Sequence, residues 1–238
     1  MEGLKSGAWQ DVLPDVECDA MISDPPYSER VHRAGALIEG DDDAERSVEI
    51  GYDAFDEAKI AEFCASWSPR VRGWMCLLTS HDLFPAWEFE LAARGRYVFP
   101  PIPCVMRGMG VRIQGDGPSN WTCWLVVARP RNREFMKWGT LPGAYTGVPP
   151  SRASAKGAKS IVMGQKPVWL MNAIVRDYSR PGDLVCDPFA GGGTTAISCT
   201  SLNRRFLGAE IDSETHRKAA KRLGHGTTLD MFCNIGQF

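Results

Sequence analysis

The stretch DLVCDPFAGGGTTAISC, Asp183–Cys199, decides the fold. Its apolar start predicts a buried strand that ends at Asp187, three glycines follow, and TTAISC opens a helix. Gly191, Gly192 and Gly193 allow positive φ angles and let a ligand approach backbone N–H groups at the start of that helix. The stretch therefore predicts a strand, a ligand-binding loop and a helix, as found in open α/β sheets.

The next strand, within RRFLGAEID, ends at an acid that suits the same ligand. Glu210 stands 23 residues after Asp187, and open α/β folds place a ribose-binding carboxylate at about this spacing. The glycines do not form GxGxxG and no GK[ST] follows, so neither the dinucleotide fingerprint nor a P-loop is matched. This pattern fits an adenosine ligand with a small charged tail better than a dinucleotide.

The rest of the chain alternates apolar runs with helical periods. Strands are predicted in DVECDAMISD, GWMCLLTS, RYVFPPIPCVM and NWTCWLVVAR, and helices in DEAKIAEFCASW, LFPAWEFELAARG and KPVWLMNAIVRDYSRPGD. A last helix is predicted in SETHRKAAKRLG, with Ser213 as its N-cap and Gly224 as its stop. We therefore predict that residues 1–238 form one α/β domain with helices on both faces of a sheet.

The stretch ISDPPYSE, residues 22–29, marks a second strand end. Pro25 and Pro26 lack backbone N–H groups and cannot extend a ladder. We predict that the strand ends at Asp24 and that Pro25, Pro26 and Tyr27 lie beyond its carboxyl end, where open α/β sheets place their chemistry. The acidic, aperiodic residues that follow predict a mobile loop over residues 28–53.

Composition narrows the class of protein. The eight cysteines include no CxxC pair and no cluster at zinc spacing, and the first ten residues have no apolar stretch. No apolar run approaches the length of a membrane span. These features predict a cytoplasmic protein with reduced thiols, without a metal and without a membrane partner.

Charge is distributed unevenly along the chain. The net charge is −2, yet the segment 103–170 holds ten basic and two acidic residues, about +8 in all. A basic segment of this kind is the electrostatic footprint of a polyanion-binding protein. A solvated basic face without a partner is the alternative.

The motifs DPPY, QKP and DPFAGGGTT…GAEID, in this order, resemble the amino-methyltransferases that methylate exocyclic nitrogens of DNA bases with S-adenosylmethionine. Their order resembles the circularly permuted beta group of that family. The resemblance implies a Rossmann-like methyltransferase sheet with a small basic target-recognition element. It divides the domain into a catalytic half (1–129), a basic target-recognition element (130–162) and a cofactor-binding half (163–238).

The resemblance also implies roles for individual residues. The glycine loop would line the methionine and adenosine parts of the cofactor, Glu210 would bind the ribose, and Ile211 would lie against adenine. Gln165 and Lys166 would meet the methionine carboxylate at a helix start. The implied cofactor-binding set is Gln165, Lys166, Asp187, Phe189, Gly191, Gly193, Thr194, Glu210 and Ile211.

The DPPY motif suits methyl transfer to an amine whose lone pair is delocalised into a base. Asp24 and the Pro25 carbonyl would each accept one N–H bond, and these bonds strengthen as the nitrogen becomes positive. Pro25 and Pro26 supply stiffness, and Tyr27 offers a ring on which an extruded base stacks. By resemblance, aspartate at the first position favours adenine N6, with cytosine N4 as the alternative.

The basic region from Arg129 to Lys159 would bind duplex DNA through phosphate contacts and stacking. An element this small predicts a short or loosely defined recognition site, or a homodimer that shares the work. An RNA or protein-amide methyltransferase and a catalytically idle nucleic-acid-binding partner subunit stay open as alternatives. The predicted nucleic-acid contacts are Arg131, Arg133, Lys137, Trp138, Arg152, Lys156 and Lys159.

Overall fold

The computed structural model describes residues 3–31, 53–108, 118–132, 138–148, 161–162 and 164–225. The strands in these ranges are β1 Gly3–Ser6, β2 Ala20–Ser23, β3 Met75–Thr79, β4 Arg96–Val98, β5 Ile102–Met106, β6 Thr122–Pro130, β7 Tyr145–Gly147, β8 Leu184–Asp187 and β9 Arg205–Glu210. The helices are α1 Trp9–Val12, α2 Glu57–Trp67, α3 Phe84–Ala93, α4 Val168–Tyr178, α5 Thr194–Ser201 and α6 Ser213–His225.

All of these strands join one sheet in the order β1-β9-β8-β2-β3-β6-β5-β7, and β4 also pairs with β6. The five strands from β1 to β3 are parallel, whereas β6 runs antiparallel to β3. Because β5 is antiparallel to β6 and β7 is parallel to β5, both run in the direction of β3. We call the edge at which β2, β3, β5, β7, β8 and β9 end the carboxyl edge, and the other the opposite edge.

Helices cover both faces of the sheet, as predicted. On one face, α2 and α3 bury Phe63, Trp67 and Trp87 against the strands. On the other face, α4 and α5 bury apolar side chains that include Leu170 and Ile174. Every residue of β2 and β3 is buried because these strands are covered on both sides. The core therefore holds the strand ends of the carboxyl edge in fixed positions.

The structure adds detail to the predicted recognition element and changes both ends of the predicted last helix. The segment 130–162 contains β7, which pairs with β5, so part of the predicted recognition element lies in the main sheet. The last helix begins at Ser213, and Asp212 caps it by accepting a 2.7 Å hydrogen bond from the Thr215 N–H. Asp212 is the N-cap because it directly precedes the first helical residue, so its carboxylate reaches a free N–H group of the first turn. The helix also continues past Gly224, through His225.

The predicted mobile loop is only partly described by the structure. Residues 32–52 of the predicted loop 28–53 lie outside the described residues.

Within the described ranges, no helix has the length and apolar character needed to cross a bilayer. The division into residues 1–129, 130–162 and 163–238 stays a prediction, although β1 pairs with β9 and so lies beside the predicted cofactor-binding half.

Candidate active site

The ends of β2 and β8 are joined by a buried carboxylate. The Asp187 Oδ1 atom accepts a 2.5 Å hydrogen bond from the Ser23 hydroxyl, and Oδ2 accepts one of 2.6 Å from Thr195. The Phe189 N–H also donates to Oδ1 at 3.1 Å. Because Ser23 directly precedes Asp24, these bonds bring the DPPY motif and the glycine loop to one place at the carboxyl edge.

Burial raises the pKa of Asp187 to about 6, and the nearby Asp24 carboxylate adds to the shift. The three hydrogen bonds act in the other direction by favouring the ionised form. The carboxyl group of Asp187 therefore holds its proton more tightly in the folded state than in the unfolded chain. Ionisation of Asp187 destabilises the fold as the pH rises from about 4 to about 6.

We expect Asp187→Asn to become more stable, relative to the unmodified protein, as the pH rises. The amide has no charge to desolvate, so the difference in free energy of unfolding grows by roughly 3 kcal/mol between pH 4 and pH 7. Urea unfolding at several pH values measures it. Asp53→Asn is the control, because that side chain is 91% exposed. Parallel pH curves for Asp187→Asn and the unmodified protein would contradict the prediction.

Two hydrogen bonds fix the carboxyl end of the DPPY motif. The Tyr27 carbonyl accepts a 3.0 Å hydrogen bond from the Phe55 N–H, and the Ser28 hydroxyl donates to Asp82 at 2.6 Å. Pro25 is buried, whereas Asp24 and Tyr27 are half-buried. The motif is therefore a rigid turn whose acid and aromatic ring remain accessible.

Two polar atoms of the motif lack an obvious use in the fold. Asp24 Oδ1 and the Tyr27 hydroxyl are buried, and neither makes a well-formed hydrogen bond within the described part of the chain. Burial raises the pKa of Tyr27 well above its usual value, and the Asp24 carboxylate and the Cys123 thiol add to this. Tyr27 is therefore a neutral ring. A buried acceptor without a partner carries a desolvation cost, which a hydrogen-bond donor on a bound ligand would offset.

The QKP segment reaches both motifs. Lys166 Nζ lies 2.6 Å from Asp24 Oδ2 and 4.9 Å from the centre of the Tyr27 ring. Gln165 accepts a hydrogen bond from the Ile161 N–H at 3.1 Å, and a Cβ on Gly192 would lie 2.6 Å from its Oε1 atom. The structure therefore brings Gln165 to the glycine loop. It pairs Lys166 with Asp24, a contact that the sequence did not predict.

The glycine loop opens onto free space. Gly191 has φ +49° and Gly193 has φ +74°, and no described atom lies within 4 Å of a Cβ built on Gly191. The Gly191 N–H donates to Glu210 Oε2 at 2.8 Å, and the Asp212 N–H donates to Oε1 at 2.8 Å. Burial raises the pKa of Glu210 despite these two bonds. Ile211 follows with 59% of its surface exposed, so an acceptor and an apolar surface stand side by side.

The remaining predicted cofactor residues also lie at this loop. The Phe189 ring packs 5.4 Å from Phe55 and 5.7 Å from Phe63, centre to centre. The buried Thr194 hydroxyl accepts a 3.2 Å hydrogen bond from Arg222, which also donates to the Gly192 carbonyl at 3.0 Å. Sequence reasoning missed Ser23, Thr195 and Arg222, because only the folded chain brings Ser23 and Arg222 to the loop.

The predicted nucleic-acid contacts fall into separate groups. Arg131 follows the end of β6, and the pairing of Met75 with Ala128 puts this end at the opposite edge, away from Asp24. Trp138 donates to the Asp177 carbonyl at 2.8 Å and stacks with Arg180 at 3.7 Å, so its indole is used in packing near the same edge. Neither residue shares a surface with Asp24, and their predicted contacts with nucleic acid stay a prediction. The others, Arg133, Lys137, Arg152, Lys156 and Lys159, lie outside the described residues.

A family model described as DNA methylase, named for N6 and N4 methyltransferases, matches residues 120–221. This segment contains Lys166, the glycine loop and Glu210. Over these residues the chain resembles the N6/N4 DNA methylases.

Individual methylases resemble parts of the chain. The DNA adenine methyltransferase YhdJ of Escherichia coli K12 is 44% identical over 59 residues, which cover 25% of this chain and 20% of the relative. The type II methyltransferase M2.MboI of Moraxella bovis is 38% identical over 130 residues, 47% of this chain and 46% of the relative. The matched parts thus span less than half the length of these curated relatives.

A solved methylase structure supports the fold. The crystal structure of the M1.HpyAVI–SAM complex superposes with a TM-score of 0.65, covering 93% of this chain and 99% of the other. Its sequence identity is 22%, so it bears on the fold alone. The Rossmann-like α/β sheet predicted from the sequence is thereby confirmed.

Proposed function

We propose that the protein is a DNA methyltransferase that uses S-adenosylmethionine to methylate the exocyclic N6 of adenine in an extruded base. The observation that carries this proposal is the unpartnered Asp24 Oδ1 at the same sheet edge as the open glycine loop. The family model and the adenine-specific relative YhdJ support it. The circularly permuted motif order belongs to this proposal.

The loop residues fit the cofactor. A carboxylate has about four acceptor positions, and backbone N–H groups use two of those on Glu210, which leaves acceptors for two ribose hydroxyls. The open space at Gly191 admits a ligand against the backbone, and the exposed Ile211 offers an apolar surface to adenine. When bound, S-adenosylmethionine supplies a methyl group attached to positively charged sulfur. No metal is needed for this chemistry.

Asp24 and Pro25 act on the amine. Asp24 Oδ1 and the Pro25 carbonyl each accept one N–H of the base amino group, and this favours a tetrahedral nitrogen whose lone pair is free to react. Both acceptors stabilise the positive charge that develops on that nitrogen, so they act mainly in the transition state. Tyr27, neutral and rigidly held, stacks on the extruded base.

A transfer experiment tests the proposed function directly. The protein is incubated with methyl-labelled S-adenosylmethionine and unmethylated duplex DNA, and the DNA is then digested to nucleosides. Label in N6-methyldeoxyadenosine supports the proposal, and label in N4-methyldeoxycytidine supports the second candidate, which the same family model covers. Transfer to RNA or to a protein amide instead, or no transfer at all, would overturn it.

Ultracentrifugation with and without DNA tests the predicted homodimer.

We infer that duplex DNA lies along the carboxyl edge. Arg107 is exposed directly after β5, and its N–H donates to the Gly147 carbonyl at the end of β7. β6 spans nine residues, so its two ends lie roughly 25 Å apart. Arg131 is therefore far from the strand ends that carry Asp24, whereas Arg107 is on their side.

A matched pair of arginine variants tests this orientation. We expect Arg107→Ala to weaken DNA binding several-fold and to reduce the slope of log K against log salt by about 0.9, because one phosphate contact is lost. Arg131→Ala has the same change in charge at the opposite edge, and we expect its DNA affinity to stay within about twofold. Fluorescence anisotropy over a salt series measures both. A larger effect for Arg131→Ala would contradict the orientation.

A further inference from the structure

Lys166 is an unusual neighbour for a substrate-binding acid. Its ammonium lies 2.6 Å from Asp24 Oδ2, and the side chains are 10% and 26% exposed. The Gly164 carbonyl lies 3.4 Å from the same nitrogen, and the Tyr27 ring lies beneath it at 4.9 Å. The ammonium is thus held between the acid and the aromatic ring of the DPPY motif.

This contact makes the two oxygens of Asp24 unequal. Oδ2 is occupied by Lys166, whereas Oδ1 is buried and has no hydrogen-bond partner among the described residues. A free carboxylate rotates about its last bond and presents either oxygen. With Oδ2 held by a charge-assisted hydrogen bond, the carboxylate plane is fixed and Oδ1 is the atom left for a donor.

We propose that Lys166 is a positioning residue that locks the Asp24 carboxylate so that Oδ1 alone faces the amine of the extruded base. This proposal rests on the proposed function, and it differs from the role predicted for Lys166 at the methionine carboxylate. The lock matches acceptors to donors: one oxygen of Asp24 and the Pro25 carbonyl face the two N–H bonds of one amino group.

The charges around Asp24 show why a cation is needed there. Asp187 at the end of β8 carries a carboxylate that acts on Asp24 as a like charge. Tyr27, Cys104 of β5 and Cys123 of β6 also interact electrostatically with Asp24. None of these groups supplies a positive charge, whereas Lys166 does. Removing Lys166 leaves a half-buried acid beside another acid, which favours its protonated form. A protonated carboxyl donates a hydrogen bond and no longer serves as a simple acceptor.

The test compares Lys166→Met, which keeps the length of the chain and removes the charge, with Lys166→Arg, which keeps the charge. Lys218→Met is the matched control, because Lys218 pairs with Glu214 on the exposed side of α6. We expect Lys166→Met to lower kcat by about 100-fold and to move the low-pH fall of kcat to higher pH by about one unit. Lys166→Arg should recover at least a tenth of the activity, and Lys218→Met should match the unmodified protein.

Two further measurements separate the possible outcomes. Cofactor affinity, measured by calorimetry, should change less than about threefold in Lys166→Met, because the positioning role acts on the amine and not on the cofactor. A tenfold loss of cofactor affinity with an unmoved pH profile would overturn the proposal in favour of the methionine-carboxylate role. Unchanged kcat and pH profile would overturn it as well.

One readout does not depend on methyl transfer. The ¹³Cγ resonance of Asp24, assigned with Asp24→Asn, should shift in Lys166→Met and return in Lys166→Arg. If this shift is seen while the unmodified protein transfers no methyl group, the proposed function fails and the Lys166–Asp24 lock stands. If the resonance is the same in all three proteins, the lock itself fails.

Discussion

Replacing Asp24 with alanine is expected to lower methyl transfer by about 1,000-fold while cofactor affinity stays within about tenfold. The side chain accepts its substrate hydrogen bond mainly when charge develops on the amine, so its loss is felt in turnover more than in ground-state binding. Single-turnover transfer from labelled S-adenosylmethionine measures the first quantity, and calorimetry measures the second. Asp24→Asn should be similarly impaired, because its amide can present an N–H where an acceptor is needed.

The control for this experiment removes an acid that has no part in the site. Asp53 is 91% exposed and pairs with Lys59 on the surface, so Asp53→Ala should retain full activity. If Asp24→Ala kept more than about a tenth of the turnover, the DPPY acid would not be the acceptor proposed here. A parallel loss of cofactor affinity would instead indicate damage to the adjoining loop.

Replacing Glu210 with alanine is expected to raise the cofactor Kd by about 100-fold or more, because charge-assisted hydrogen bonds to two ribose hydroxyls are lost. The variant also loses the acceptor of the Gly191 and Asp212 N–H groups, which costs about 1–3 kcal/mol of stability for each N–H left without a partner. Affinity is therefore measured by calorimetry at a temperature at which circular dichroism shows the variant to be folded.

Glu214→Ala gives the matched comparison for Glu210. It removes the same charge four residues later, where the side chain is 61% exposed and pairs only locally with Lys218. Its cofactor Kd should change less than about twofold. If Glu210→Ala and Glu214→Ala bound the cofactor equally well, the ribose assignment would be wrong.

The parts of the fold that follow from local patterns were predicted well. A buried strand, three glycines and a helix start at Thr194 are all encoded within Asp183–Cys199, and the structure has β8, the loop and α5 there. The strand that ends before the DPPY motif is equally local, since Pro25 and Pro26 cannot continue a ladder. That the two motifs meet followed from the fold class, because parallel strands end at one edge of a sheet.

The contacts that the sequence could not predict join residues far apart in the chain, and their positions depend on the direction in which distant strands run. The basic region from Arg129 to Lys159 is continuous in sequence, but β6 ends at the opposite edge and β7 ends at the carboxyl edge. Arg131, which follows β6, and Val148, which follows β7, therefore lie on different sides of the sheet. Trp138 looked like a stacking residue because an aromatic side chain in a basic loop gives no sign of what it packs on. The pairing of Lys166 with Asp24 joins residues 142 positions apart, and no local pattern encodes it.

The hydrogen bonds from Arg222 tie the glycine loop to the last described helix. Arg222 donates to the Gly192 carbonyl and to the Thr194 hydroxyl, so α6 is hydrogen-bonded directly to the loop that forms one wall of the cofactor site. Any ligand that tightens this wall also reduces fraying of α6, since the two share the same contacts. Slower amide exchange in α6 therefore reports that the site is occupied, and this measurement requires neither a nucleic acid nor turnover.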